Sequence, residues 1–453
     1  MKIKFIILLL FVIHHSSFII PHSLYAQDEA RTQEAARLAT IQYGTETEIA
    51  ALIQTLKAEG VDYLDNEIIA LVGNTSNQKI LSGAFSFFGE REKNGLEDRA
   101  IRAIEEQDNE KNETIISAID YLGKVKSVKA LPVLQKLIEG GERRFVNPAI
   151  RSFGRIGNSG TGSSSAEYLI DFYENSNPED ESRREVVVAL GATGSAEAVE
   201  FLAGIASDSE GRATLRMAAL ESLSKIGDQG GLDAVLSCIS ANDPNIRSTA
   251  VTALGPFSGK AVDDAILDAF RDSYYRTRIA AAQASRQRKL AAAVPYLKFR
   301  AERDEVPAVK EDSIRALGAI ADGESVKILE TLFTERKNND RVRITAGEMI
   351  MQIQSAQFLD RFVTELDEAK QKNQTALYNG LLKIIGGTKS GNMEPITRRL
   401  MQNSGVIERS YALDMAANNN LTSLAEEIKT IAGDRNESLA AKARRTLEKL
   451  GVQ

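Results

Sequence analysis

Histidine and cysteine, the side chains most often used in nucleophilic catalysis and in metal sites, are scarce in this chain. Its 453 residues include three histidines, His14, His15 and His22, and a single cysteine, Cys238. A Ser-His-Asp or Cys-His arrangement needs an imidazole that titrates near neutral pH, and a zinc site needs several His or Cys ligands. We therefore expect no enzyme of these classes, and no metal or other cofactor.

Two other features could suggest chemistry, but each lacks a required part. The glycine-rich residues 157–165 lack the lysine of a phosphate-binding P-loop and follow a helical pattern, so an inter-helix loop is expected there. Carboxylates are numerous, yet no pair is marked out as the acid and base of a glycosidase. The sequence therefore favours a protein that binds over one that catalyses.

One basic segment, residues 271–303, stands out from an acidic chain. The chain has a formal charge of −7, whereas this segment has nine Lys or Arg side chains against two acidic ones. Helical spacing places Tyr275, Arg278 and Arg286 on one stripe that we expect to face solvent, and Tyr and Arg are enriched at binding hot spots. The candidate residues for binding a protein partner with an acidic surface are Tyr275, Arg276, Arg278, Arg286 and Arg288. The alternative is a solvated basic face without a partner.

The elements that would hold these residues are paired amphipathic helices, which are clearest at residues 243–270. Asp243 is a plausible N-cap, and Pro244 would occupy the first helical position. Apolar residues then recur at helical spacing on either side of a short turn, at Ile246, Ala250, Leu254, Val262, Ile266 and Phe270. This pattern predicts a helix, a tight turn and a second helix.

The same unit recurs along most of the chain. One position near the end of the first helix of each unit serves as an anchor, and successive anchors lie 30 to 37 residues apart. The anchors are Gly89, Gly123, Gly154, Gly191, Ser224, Gly255, Ser285, Gly318, Met351, Lys383, Ala416 and Glu448. A single unit cannot bury its apolar stripe alone, so this regular period predicts a stacked helical array.

The repeat resembles the HEAT family, in the short HEAT-like form found in exported bacterial proteins and in phycobilin lyases. The residues that carry the resemblance are Asp243 with Arg247 and Asp340 with Arg343, together with helices that end in Ala-Leu-Gly. The resemblance implies an all-α fold, an α-α superhelix or solenoid of about twelve HEAT-like repeats. It also implies that the helix bearing the acidic and basic residues lines a concave binding face.

These acidic and basic residues also predict a structural role. Asp243 precedes Arg247 by four residues. Asp340 precedes Arg343 by three. Because the repeats stack, such pairs could form a ladder of hydrogen-bonded ion pairs between neighbouring loops.

The N-terminus has the pattern of a secretory signal peptide. Lys2 and Lys4 precede the apolar run 5–13, which is well short of the ~20 residues that span a bilayer. The predicted regions are a signal peptide at 1–26, an N-terminal helical cap at 27–74 and a HEAT-like solenoid at 75–453. Cleavage after Ala26 would leave a periplasmic or extracellular protein without a membrane-spanning segment.

These features together predict an exported, non-enzymatic scaffold or adaptor that binds a protein partner through its concave face. A bacterial periplasm, for example in an envelope or flagellar assembly, is the expected setting. The acidic composition argues against nucleic acid as a partner. The alternative is a carbohydrate- or peptidoglycan-binding protein with weak carboxylate-based hydrolysis, although the chain has no tryptophan to supply an aromatic sugar platform.

Overall fold

All regular secondary structure among the described residues is helical. The computed structural model describes residues 22–157, 159, 162–176, 178–403 and 405–452. Residues 1–21 of the predicted signal peptide lie outside the described part of the chain. Its last five residues, 22–26, belong to a helix that begins at His22. The chain divides into two compact units, one that ends at Ser195 and one that starts at Ala196.

The helices of the first unit form two layers. They are α1 (His22–Tyr43), α2 (Glu46–Glu59), α3 (Asp65–Asn74), α4 (Gln78–Glu90), α5 (Glu97–Glu105), α6 (Asn112–Lys124), α7 (Leu131–Glu139), α8 (Arg143–Gly157), α9 (Gly162–Asn175) and α10 (Asp180–Thr193). Helices α2, α4, α6 and α8 each pack beside the next even-numbered helix and form, with α10, a first layer. Helices α3, α5, α7 and α9 pack against that layer and form a second one.

The second unit repeats this arrangement. Its helices are α11 (Glu197–Ser207), α12 (Ala213–Ile226), α13 (Leu232–Ser237), α14 (Pro244–Ala253), α15 (Lys260–Ala269), α16 (Tyr275–Arg288), α17 (Val294–Arg303), α18 (Pro307–Ile320), α19 (Gly323–Thr334), α20 (Asp340–Gln371), α21 (Thr375–Gly387), α22 (Glu394–Met401), α23 (Val406–Asn418), α24 (Ala425–Ala432) and α25 (Glu437–Leu450). The first layer contains α12, α14, α16, α18, the first half of α20, α21, α23 and α25. The two halves of α20 meet at Gln354, whose backbone (φ −145°, ψ 52°) is not helical.

The predicted all-α array of HEAT-like hairpins is confirmed. Eleven of the twelve anchor positions lie within first-layer helices, and Gly255 lies two residues after the end of α14. In the second unit, Asp243 caps α14 by accepting a hydrogen bond from the Asn245 N–H at 2.7 Å, as expected. Residues 27–74 contain helices as well, and their role as a cap stays a prediction.

Small residues let neighbouring first-layer helices approach closely. A Cβ atom at Gly123 would lie 2.7 Å from Ser152 Cα, and one at Gly154 would lie 2.9 Å from Ala189 Cα. Both distances are too short for non-bonded carbon atoms, whose optimal separation is about 3.5–4.0 Å. Glycine at these two positions is therefore required by the neighbouring helix.

Candidate partner-binding surface

Arg278 on α16 joins two loops of the second unit. Its Nε and Nη2 donate to the two carboxylate oxygens of Asp304 at 2.8 and 2.9 Å, and its Nη1 donates to the carbonyl oxygens of Asp272 and Ser273. Its side chain is 11% exposed, and that of Asp304 is fully buried. The prediction that Arg278 lies on a solvent-facing stripe is therefore wrong. Ala282, which follows Arg278 by four residues and so lies on the same side of α16, is buried too.

Arg247 makes the same contacts one repeat earlier. Its Nε and Nη2 donate to the carboxylate of Asp272 at 2.8 and 3.0 Å, and its Nη1 donates to the carbonyl oxygens of Ala241 and Asn242. The predicted ion pair with Asp243 is wrong because that carboxylate caps the N-terminus of α14. The ladder nevertheless exists, since each arginine binds the acidic residue of the following loop.

The pair of Asp340 and Arg343 needs the same correction. Arg343 donates to Glu365 at 2.7 Å and to the carbonyl oxygen of Phe333 at 2.8 Å, and its side chain is 4% exposed. Asp340 is the first residue of α20, and the side chain of Asn339 caps that helix. Arg343 therefore has a structural contact, but its acidic partner lies in the second half of α20 and not in a following loop, so this pair is not part of the ladder.

Sequence reasoning missed the acidic members of the ladder. Asp272, Asp304 and Asp434 each accept a backbone N–H from the residue two positions later, at 2.7, 3.0 and 2.8 Å. The same carboxylates bind Arg247, Arg278 and Arg409 of the preceding repeat. An aspartate three residues before the first residue of α16, α18 and α25 is the sequence signal that could have identified them.

These arginines keep the ladder carboxylates charged. Burial alone would raise the pKa of Asp304, but hydrogen bonds from Arg278 and from the Val306 N–H outweigh it, so the pKa lies below its ordinary value. The pKa of Asp272 is lowered in the same way, by Arg247 and by the Tyr274 N–H. The ladder is therefore made of ion pairs at neutral pH.

Arg288 also has a structural contact. Its Nε and Nη2 donate to one carboxylate oxygen of Asp263 at 3.1 and 2.8 Å, and its Nη1 donates to the carbonyl oxygen of Phe257. Its side chain is 18% exposed. It therefore links the end of α16 to the preceding repeat, and little of its guanidinium is left for a partner.

Three of the five predicted binding residues remain accessible. Arg276 is exposed and lies beside the half-buried Tyr275, with its Nε 3.2 Å from the phenol oxygen. Tyr275 also packs edge-on against Tyr274, with ring centroids 5.4 Å apart. Arg286 is exposed, and no ion pair joins it to another described residue. The structure does not place Tyr275, Arg278 and Arg286 on one common exposed stripe.

The second-layer helix α17 presents an unpredicted surface, which we call the α17 face. It contains Pro295, Lys298, Phe299, Glu302 and Arg303, which share one side of the helix by their spacing. Phe299 is 56% exposed, whereas Phe257 and Phe270 of the same region are fully buried. This face combines basic and apolar side chains on the outside of the unit.

Among the described residues, no group of His, Cys, Asp and Glu side chains is arranged to hold a metal ion. No helix in this part of the chain combines the length and the apolar composition that crossing a bilayer requires.

Comparison with known proteins identifies the family. Residues 41–446 match the sequence model described as Spirochaete HEAT repeat protein. The chain belongs to this family. Because the match covers most of the chain, it includes the ladder, the α17 face and most of the predicted cap of this HEAT repeat protein.

Solved structures similar to this HEAT repeat protein include Kap95p and the karyopherin Kap121p. Kap95p, in a structure that concerns its binding to RanGDP, is 13% identical with a TM-score of 0.53, over 85% of this chain and 61% of Kap95p. Kap121p is 12% identical with a TM-score of 0.47, over 91% of this chain and 53% of Kap121p. The chain thus spans between half and two thirds of these structures, and the likeness to Kap95p shows the fold alone. No curated protein matches the sequence.

Proposed function

We propose that this HEAT repeat protein is a non-enzymatic scaffold that binds a protein partner through exposed basic residues of α16 and α17 in its second unit. The observation that carries the proposal is a set of cations that the fold does not use. Arg276, Arg286, Lys298 and Arg303 are exposed, and among the described residues none of them pairs with a carboxylate. In a chain of net charge −7, such a local surplus of positive charge favours an acidic partner surface.

The ladder supports binding because it fixes the helices that carry these cations. Arg247 and Arg278 connect successive loops through Asp272 and Asp304, so α14, α16 and α18 are held in register. Side chains on helices that are already ordered lose less entropy on binding than side chains on mobile loops. A rigid array is therefore well suited to bind a partner without rearrangement.

The comparisons supply a precedent for this kind of role. Kap95p binds RanGDP, so a fold of this kind can present a surface to another protein. The identity of 13% gives no basis for assigning RanGDP or any related protein to this chain. The partner proposed here is identified by its acidic surface.

Export is the second part of the proposal and rests on residues 1–26. The two lysines and the apolar run of this segment have the pattern of a secretory signal. The full chain, expressed in a bacterium whose periplasm can be released by osmotic shock, should be recovered there with a new N-terminus near Gln27. A chain that starts at residue 27 is the control and should stay in the cytoplasm. Recovery of the full chain in the cytoplasm with residues 1–26 intact would contradict export.

Two parallel assays separate a protein-binding scaffold from the carbohydrate-binding alternative. The tagged protein is incubated with envelope extract, and captured proteins are identified by mass spectrometry. The same protein is sedimented with purified cell wall. We expect saturable capture of a protein that weakens for Arg276→Glu combined with Arg286→Glu, and no sedimentation with the wall. Sedimentation with the wall, without capture of a protein, would favour the alternative.

A further inference from the structure

The α17 face is built around the exposed Phe299, which lies beside Arg300. The guanidinium of Arg300 lies 5.3 Å from the centre of the Phe299 ring, and Arg300 also donates to the carbonyl oxygen of Phe270. Arg271 lies 5.3 Å from the centre of the Tyr296 ring and donates to its hydroxyl at 3.2 Å. Each of these two aromatic rings therefore lies beside a guanidinium group, and Arg271, which follows α15, also pairs with Asp268 at 2.7 Å.

These side chains surround a shallow depression of about 290 Å³. The residues that line it are Phe270, Arg271, Pro295, Tyr296, Phe299 and Arg300. Tyr296 stacks on the buried Phe270 with ring centroids 5.7 Å apart, so one wall of the depression is continuous with the core. Pockets for drug-sized ligands begin at roughly 300 Å³, so this depression has the size for one apolar side chain.

Exposed charges on the second-layer helix before α17 are paired. That helix, α15, exposes Lys260, Asp264 and Asp268, of which Lys260 pairs with Asp264 and Asp268 pairs with Arg271, and the following second-layer helix, α19, exposes Glu324 and Lys327. On α17, Lys298 and Arg303 flank Phe299, and in the described chain neither has a carboxylate partner. A ligand that matches this pattern carries negative charge on both sides of an apolar group.

We infer that the α17 face binds an acidic segment of another protein through one apolar or aromatic side chain that enters the depression. This inference rests on the proposed function and names the surface and the chemistry of its partner. The side chains at the centre, Phe299 and Tyr296 with Arg271 and Arg300, are of types that dominate binding energy at protein interfaces. Lys298 and Arg303 at the edge supply the attraction that depends on salt.

An acidic protein segment matches this surface better than a nucleic acid does. Nucleic-acid binding depends on many phosphate contacts from clustered Lys and Arg, and the α17 face has two unpaired cations. Asp264 and Asp268 on α15 pair with Lys260 and Arg271, so α15 offers a polyanion that extends beyond α17 no unpaired cation. A short segment with a central apolar anchor needs only the cations of α17.

Fluorescence anisotropy of labelled peptides with the full chain tests the inference. The probe is a twelve-residue peptide of Glu and Ser with one central Phe, and the comparison peptide has Ala at the centre. We expect the Phe peptide to bind more tightly and to weaken as salt is raised. Phe299→Ala should weaken it about tenfold, because that is the usual cost of removing a central contact residue.

Charge variants give a second, independent measurement. Lys298→Glu combined with Arg303→Glu should weaken the Phe peptide and reduce the effect of salt. Arg102→Glu combined with Lys327→Glu makes the same change in net charge at exposed positions of α5 and α19. This control should leave binding unchanged, and circular dichroism should show unchanged helix content in all variants.

The results that overturn the inference are distinct from those that overturn the proposed function. The inference is overturned if the control pair of substitutions loses as much binding as the α17 pair. It is also overturned if the Phe and Ala peptides bind equally well, or if neither peptide binds. Equally tight binding of a single-stranded DNA oligonucleotide, sensitive to Phe299→Ala, would replace the acidic peptide by a nucleic acid. If a partner is captured from envelope extract and Phe299→Ala does not reduce that capture, the scaffold function stands and the α17 face is not its site.

Discussion

Arg278 and Asp304 form a bidentate ion pair between successive repeats, with N–O distances of 2.8 and 2.9 Å. The arginine also binds two carbonyl oxygens of its own loop, so a single side chain connects two loops and the helix between them. The side chain of Asp304 is fully buried. This contact therefore contributes to the stability of the fold and little to the charge of the surface.

Reversing the charge at Arg278 should therefore destabilise the second unit. Arg278→Glu places a carboxylate beside the buried Asp304, and removing one member of a buried pair costs about 3–5 kcal/mol of the free energy of unfolding. Arg286→Glu is the matched control, since this exposed side chain on the same helix has no described partner; it should change that free energy by less than about 0.5 kcal/mol. Urea unfolding followed by circular dichroism measures both. Equal effects of the two variants would mean that the ladder contributes little.

The same pairs should make stability depend on acid. The pKa values of Asp272 and Asp304 lie below their ordinary values in the folded chain. Such groups stabilise the fold above the unfolded-state pKa of about 3.9, and the contribution is lost as pH falls through the lower folded-state values. The melting temperature of the wild-type chain should therefore drop below about pH 4, and Asp304→Asn should lower it at pH 7 and flatten the drop. A melting temperature of Asp304→Asn that matches the wild type at pH 7 would contradict this account.

The glycine at position 154 should be intolerant of alanine. A Cβ there would lie 2.6 Å from the carbonyl oxygen and 2.8 Å from the Cβ of Ala189 on the neighbouring helix. Overpacking of this kind costs about 1–3 kcal/mol. Gly204→Ala is the control, because a Cβ at that position in α11 meets nothing within 4 Å and should stabilise the helix by about 0.5–1 kcal/mol. Thermal unfolding of both variants tests the close approach of the two helices at Gly154. If Gly154→Ala raised the melting temperature as well, the helices would not approach this closely.

The second unit should fold without the first. A fragment that starts at Ala196 keeps α11, whose Ala206 carbonyl oxygen accepts hydrogen bonds from Arg216 Nε at 3.0 Å and from Cys238 Sγ at 3.2 Å. A fragment that starts at Arg212 loses α11 and leaves the buried Arg216 without that acceptor. Since each repeat contacts its neighbours, both should be helical by circular dichroism, with a lower melting temperature for the shorter one. A disordered fragment from Ala196 would contradict independent folding of the unit.

The sequence by itself determined the repeat and its helices. Apolar residues at helical spacing, Asp243 and Pro244 at a helix start and small residues at the anchors are local signals, and each first-layer helix buries the face that they define. It also singled out Arg247 and Arg343 as structural residues, but not their acidic partners. The helices and their caps depend on neighbouring residues along the chain, so predicting them needed no knowledge of how repeats stack.

Only the tertiary structure decided which charges pair and which remain exposed. The acidic partners of Arg247 and Arg278 lie 25 and 26 residues further on, and such contacts depend on the register in which one repeat packs on the next. The face of α16 was misassigned because alanines occupy several of its sides, so hydrophobic periodicity could not show that Ala282 is buried. The exposure of Phe299 follows from the position of α17 in the second layer. One side of this helix packs on α18, and the side that carries Phe299 faces solvent. A long arginine side chain can reach either solvent or a neighbouring loop, and the stacking of the repeats selects between the two.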